Sequence, residues 1–237
     1  MACRTLLLRL ERRGAIRLPA RQRPSPNALR NRRTQEVPCD RAPIEGVLTD
    51  LQPLRIEPLS EGHSDLGLFR FLLQRHHYLG LRNCVGENLK YLARDRHGRP
   101  LACLLFGAVA WKAKARDEWI GWTPEQRERT LPLLANNTRF LVLPWVRVPH
   151  LASHLLGAVA RRLDADWRLK YGHGIELLET FVDRERFRGT CYRAAGWVRV
   201  GATTGRSRND RDQTLSVPVK DIYLRSLSPD FRRRLCG

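Results

Sequence analysis

The chain has 237 residues, 42% of them hydrophobic and 28% charged, which excludes an intrinsically disordered protein and allows a sizeable core. No apolar run approaches the roughly 18 residues of a membrane-spanning helix, and Leu6–Leu8 is too short for the hydrophobic region of a secretion signal, so a cytoplasmic protein is expected. The formal net charge of +19 is the dominant global property, because such a surface attracts polyanions and nucleic acid is the commonest of them. Lys90, Lys112, Lys114, Lys170 and Lys220 are the only lysines. A GC-rich genome accounts for arginine over lysine, but not for the scarcity of acids.

Residues 1–47 mix arginine with Pro, Ser and Asn and show almost no apolar periodicity, which predicts a flexible basic arm with a short helix over residues 4–12. Such an arm serves as a nucleic-acid contact, an upstream extension or an organelle-targeting peptide. Residues 48–237 read as one folded domain. "PLRIEP" (53–58) is a short strand, and Ser64 caps a helix with Leu66, Phe69, Leu72, Leu73 and His76 at helical spacing. Gly80 is placed to stop that helix. "NLKYLARD" and "RPLACLLFGA" form a hairpin turned by Gly98. "WKAKARDEWIGW" then reads as an insertion, followed by a helix with Thr123 as cap and Pro124 at its first position.

"TRFLVLPWV" (138–146) has the near-continuous apolar character of a buried central strand. The helix after it places Leu151, Leu155, Leu156, Val159, Leu163 and Trp167 on one face and stops near Gly172 and Gly174. "IELLETFV" (175–182) is a second central strand, followed by a short helix across 184–195 and strands at "GWVRVG" and "KDIYLRSL". A long helix between two buried strands is a crossover, so the two strands should be parallel.

Strand, helix, hairpin, strand, helix, strand, helix, strand, strand is an α/β (α+β) order. It resembles the GCN5-related N-acetyltransferase (GNAT) architecture across roughly residues 53–225. "YRAAGW" is similar to that family's late motif, a Tyr followed four and five residues later by Gly and an aromatic. The resemblance implies a mixed sheet with flanking helices and two splayed central parallel strands, with acetyl-CoA between them. "RHHYLG", "ARDEWIGW", "NNTRFLVLPWVRVPHLASHLL", "LLETFVD", "RFRGTCYRAAGWVRVGATTGR" and "VKDIYLRSL" also occur in order. Together they resemble the Druantia anti-phage system protein A family over about residues 50–236. That resemblance implies a setting in bacterial antiviral defence, with a helicase or a DDE-type transposase as partner. It implies no particular reaction.

Tyr192 has two readings. The GNAT resemblance implies a general acid for a departing thiolate, whereas the residues alone equally allow an aromatic that packs a helix onto the sheet. The resemblance puts Arg147 at the start of the cofactor's phosphate-binding turn. Pro149 and His150 stand where free N–H groups and small residues are wanted, and they argue against acetyl-CoA. Glu179 shares a strand face with Ile175, Leu177 and Phe181. A carboxylate in that stripe must be paired, hydrogen-bonded or protonated, which makes it either a catalytic candidate or the structural partner of Arg139. Asp183 ends the strand where open α/β sheets bind ligands.

Arg116, Trp119 and Trp122 interleave basic and aromatic groups beside Asp117 and Glu118. They suit stacked bases and phosphates, or else the tryptophans cover the edge of the core. Arg206, Arg208 and Arg211 in "GATTGRSRNDRD" suit phosphate oxygens, or decorate a solvated hairpin loop. His150 and His154 lack a third ligand and an H-E-x-x-H frame, and the six cysteines show no zinc spacing, so no metal is expected. The expected function is a GNAT-like domain that binds or modifies DNA or RNA in anti-phage defence. Its alternatives are a non-catalytic DNA-binding accessory of a transposase and an acyl-CoA-dependent N-acetyltransferase. In a group transferase, Tyr192 would be the acid and Glu179 or Asp183 the base.

Overall fold

A computed structural model describes residues 3–19, 36–81, 84, 86–205 and 218–237. The chain divides into two compact units, residues 1–34 and 35–237. In the first, helix α1 spans Cys3–Arg12, and the Leu18 N–H donates to the Glu11 carboxylate beyond its end. Ile44 and Glu45 form a short strand, β1, paired in parallel with Val146 and Arg147 (β6), and Ile44 is buried in the core of the second unit. A segment of mostly polar composition is held there by Val37, Cys39 and Ile44 packed on the core and by two register pairs with β6.

The second unit is built on seven strands: β2 (Arg55–Pro58), β3 (Asn88–Arg94), β4 (Pro100–Gly107), β5 (Leu134–Val142), β7 (Leu177–Asp183), β8 (Val198–Ala202) and β9 (Lys220–Ser226). Their order in the sheet is β2-β3-β4-β5-β7-β9-β8. All neighbours are antiparallel except β5 and β7, which are joined by the crossover helix α6 (Leu151–Tyr171). This is the mixed sheet that the element order implied.

Side-chain alternation sorts the core onto two faces. Leu89, Tyr91, Leu104, Phe106, Ala135 and Leu178 pack beneath α6 and α7 (Thr190–Ala194). On the other face, Leu92, Leu101, Cys103 and Leu105 pack against α3 (Leu66–His76). On that same face Leu177, Ile222 and Leu224 meet α4 (Lys114–Ile120) and α8 (Phe231–Cys236). A four-residue helix, α2 (Leu48–Leu51), precedes β2.

Several boundaries differ from the sequence reading, each for a local reason. Asp65, not Ser64, precedes α3, and its carboxylate is taken by Arg94 at 2.6 Å rather than by the helix. The helix has ended by His76, and Gly80 (φ +57°) shapes the turn after it. "WKAKARDEWIGW" contains α4, closed by Gly121 in the left-handed conformation. That helix lies close on β8 because Gly201 faces Ala115, where a Cβ would collide. Thr123 caps α5 (Pro124–Thr130) through a reciprocal bond with Gln126, as expected. The central strand begins at Leu134, four residues early, and stops before Pro144, because Leu134, Ala135 and Asn136 supply the rungs to β7. Only Thr190–Ala194 is helical in the 184–195 segment. The preceding turn is fixed by Asp183, whose backbone and side-chain oxygens accept from Phe187 and Glu185.

Candidate functional site

The parallel strands β5 and β7 share only three rungs, the last joining Asn136 to Glu179. Beyond it they part. On the β4 side, Leu105 faces Arg139 while Phe106 faces Asn137, so Thr138 is an extra residue in β5. Such a bulge bends the strand that carries it, here two residues after the last rung. The opening forms a cavity of about 720 Å³, within the range of small-ligand sites.

Tyr192 reaches the cavity wall from α7 and is buried. Its hydroxyl donates to Asn137 Oδ1 at 2.7 Å. The Asn137 Nδ2 donates to the Leu105 and Arg139 carbonyls on either side of the bulge, so the amide's orientation is fixed with Oδ1 toward the phenol. Thr180 donates its hydroxyl to the Asn137 carbonyl at 3.0 Å. Burial pushes the Tyr192 phenol far above its ordinary range. A phenol that holds its proton so firmly is poorly matched to thiolate protonation, and the packing reading of this residue is the one its contacts support.

Glu179 has no solvent exposure, and neither does Arg116, which it meets at 3.0 Å. Its other oxygen accepts the Ala110 N–H. Burial raises the carboxyl's pKa, against the pull of the Arg116 guanidinium and the Ala110 N–H. The partner is therefore not Arg139, which donates to the Gly80 and Thr138 carbonyls. Arg116 cannot meet a phosphate from outside, because it is spent on Glu179, the Ala110 carbonyl and Asp117. Trp122 lies buried under the same guanidinium. Trp119 stacks on Phe231 at 5.3 Å, with Arg232 over both rings. The basic and aromatic stretch is thus chiefly interior, since α4 turns Arg116 and Trp122 toward the sheet.

Asp183 does stand at the cavity, at the end of β7, where it is buried and organises the turn that follows. Arg147 is exposed and lies 3.7 Å from Glu45. At the start of α6, Pro149 has no N–H to offer. His150 takes φ +64° and its carbonyl accepts from Ser153 and His154. No glycine opens this turn, so the splay suits an extended ligand but the turn does not fit the pyrophosphate of an acyl-CoA. Arg206, Arg208 and Arg211 lie outside the described residues, although Gly205 and Pro218 on either side of them line the cavity.

Three further groups line the cavity, of which Asn136 and Lys220 escaped the sequence reading. The Asn136 side-chain oxygen is buried without a partner. His77 has its pKa lowered to about 4 by burial and by Arg139, and its Nδ1 accepts the Leu79 N–H. Lys220 forms no ion pair among the described residues. The available signal was "NNT", three polar residues at the head of an apolar strand. Among the described residues, no group of three or more His, Cys, Asp or Glu could hold a metal ion, and no helix is long and apolar enough to cross a membrane.

The family model for the Druantia protein DruA matches residues 9–236. The chain belongs to the DruA family. No curated protein matches its sequence at a significant level. Among solved structures, a chimera of spermidine N-acetyltransferase SpeG from Vibrio cholerae and hSSAT is similar with a TM-score of 0.50 and 9% identity. The match covers 76% of this chain and 99% of the chimera. The Vibrio cholerae spermidine/spermine N-acetyltransferase SpeG with manganese ions gives a TM-score of 0.48 at 10% identity, covering 76% of this chain and 96% of that one. At such identities the likeness concerns the fold alone, and this DruA family member has a GNAT-like fold.

Proposed function

We propose that the chain acts in anti-phage defence as a nucleic-acid-binding protein whose splayed cleft holds a ligand without transferring an acyl group. One observation carries the non-catalytic part. Of the groups a transfer would call on, Tyr192 and Glu179 are committed inside the protein, to Asn137 and Arg116, and the buried Asp183 is engaged in the turn that follows β7, where it accepts the Glu185 N–H. The net charge of +19 supports a polyanionic partner. Family membership supports the defence setting, in which the chain would bring a helicase or a transposase to nucleic acid. The rival acyl-CoA transferase reading keeps one observation in its favour, the cleft between the parallel strands.

Purified full-length chain titrated with labelled single-stranded and duplex DNA, and separately with acetyl-CoA, tests the proposal. DNA affinity is expected to fall steeply as salt rises, by about 10³-fold or more between 50 and 200 mM if some six phosphates are contacted. Acetyl-CoA is expected to give no saturable signal at millimolar concentration. Absence of DNA binding at low salt, or tight acetyl-CoA binding, overturns it.

A further inference from the structure

We infer that the splayed cleft is a nucleotide site, with the base against Asn136 inside and the phosphate on Lys220 at the rim. The inference rests on the nucleic-acid reading above and specifies which part of the ligand enters the fold.

Most polar groups at the vertex are already satisfied. Asn137, Thr180 and Tyr192 bond to one another or to the backbone. Asn136 differs, because its buried Oδ1 has no partner and it lines the cavity at the last rung between the strands. A buried acceptor left unpaired is costly, and a ligand N–H would satisfy it. A carboxamide also carries N–H donors beside that oxygen, the pairing that matches a base edge with adjacent donor and acceptor, such as N6 and N7 of adenine.

The walls suit a flat ring. Phe140, Phe181 and Val182 line the slot, and Tyr78 and Phe187 meet edge to face at 5.5 Å. Both of these rings keep substantial exposure, 38% for Tyr78 and 52% for Phe187, and exposed aromatics are the usual platforms for bases. Lys220 lies opposite Asp183 on the neighbouring strand, four residues beyond Glu179 along β7. At ~3.3 Å per residue that is about 13 Å from the vertex, the length of a nucleoside phosphate rather than of a bare base. Lys220 lines the same cavity and forms no ion pair among the described residues. A neutral amide at the closed end and an ammonium at the open end together select an uncharged ring carrying an anion.

The source is either a free nucleotide or a nucleotide turned out of a strand, and the test separates them. Binding of the four nucleoside monophosphates, their nucleosides, single-stranded and duplex DNA, and coenzyme A is measured on the full chain and on Asn136→Leu, Lys220→Gln and Phe187→Ala. At least one monophosphate is expected to saturate the wild type. Asn136→Leu should weaken it about tenfold, and Lys220→Gln should weaken the monophosphate but not its nucleoside. Phe187→Ala, at a half-exposed ring, guards against a fold defect in the Asn136 variant and should also weaken binding. Competition by single strands assigns the site to nucleic acid, and monophosphate binding without such competition assigns it to a free nucleotide. Absence of monophosphate binding while duplex DNA still binds overturns this inference alone, and so does coenzyme A binding more tightly than any monophosphate. Failure of the wild type to bind any nucleic acid overturns the reading beneath it.

Discussion

Arg116 and Glu179 meet at 3.0 Å with neither side chain exposed, directly behind the rung at which β5 and β7 separate. Their pairing anchors α4 to the strand that forms one wall of the cleft. Removing one partner leaves a buried charge uncompensated, so Arg116→Met or Glu179→Gln should each cost about 3–5 kcal/mol of stability, read as the shift in urea denaturation. The double variant Arg116→Met/Glu179→Leu should recover most of that loss. Unchanged stability in Glu179→Gln would sink the structural role assigned to the pair.

Tyr192→Phe removes one hydroxyl and strands the buried Asn137 oxygen that receives it. The expected effect is a loss of about 1–3 kcal/mol. Ligand binding in the cleft should stay within a fewfold of wild type, because the hydroxyl points at protein. A variant that keeps its stability but loses a chemical activity would instead make Tyr192 a catalytic acid.

His77 gives a pH signature. Its folded pKa is lowered from the ordinary 6.5 to about 4, while the unfolded chain titrates near the ordinary value, so the unfolded state takes up the proton first. The stability His77 contributes is present above about pH 6.5 and is lost as pH falls toward 4. Protonation at Nδ1 also removes the acceptor for the Leu79 N–H. His77→Gln should flatten the decline between pH 6.5 and 4 relative to wild type, checked by denaturation at several pH values. Parallel curves for the two proteins would refute the assignment.

Gly189 and Gly196 separate strain from collision. Both have positive φ, +66° and +78°. A Cβ at Gly189 would strike the Tyr223 hydroxyl, whereas at Gly196 it meets open space. Gly196→Ala should therefore cost only the left-handed strain, about 1–2 kcal/mol, and Gly189→Ala distinctly more, measured by thermal unfolding. Equal losses would mean that Tyr223 yields without cost.

Much of the sheet was legible because periodicity records burial. Leu151, Leu155, Leu156, Val159, Leu163 and Trp167 are all buried on one face of α6, and the crossover made β5 and β7 parallel as expected. The start of β5 was not legible, because Asn136, Asn137 and Thr138 break the apolar run that identifies a central strand. Those polar residues mark the place where β5 turns from pairing with β7 to lining a cavity.

The site was harder to read than the frame. Glu179 was recognisable as a carboxylate that needed a partner, but the sequence offered Arg139 on the adjacent strand. The partner is Arg116, 63 residues away in a segment read as an insertion. A strand's period fixes which side chains share a face, and a helix's period fixes which of them point inward. Neither records which helix comes to rest on which strand. That depends on close approaches such as Ala115 on Gly201. The sequence by itself determined the charge, the GNAT-like order of elements and the faces of the strands, since these are local. Only tertiary packing decided that Tyr192 and Glu179 are satisfied within the protein while Asn136 and Lys220 are left facing the cleft.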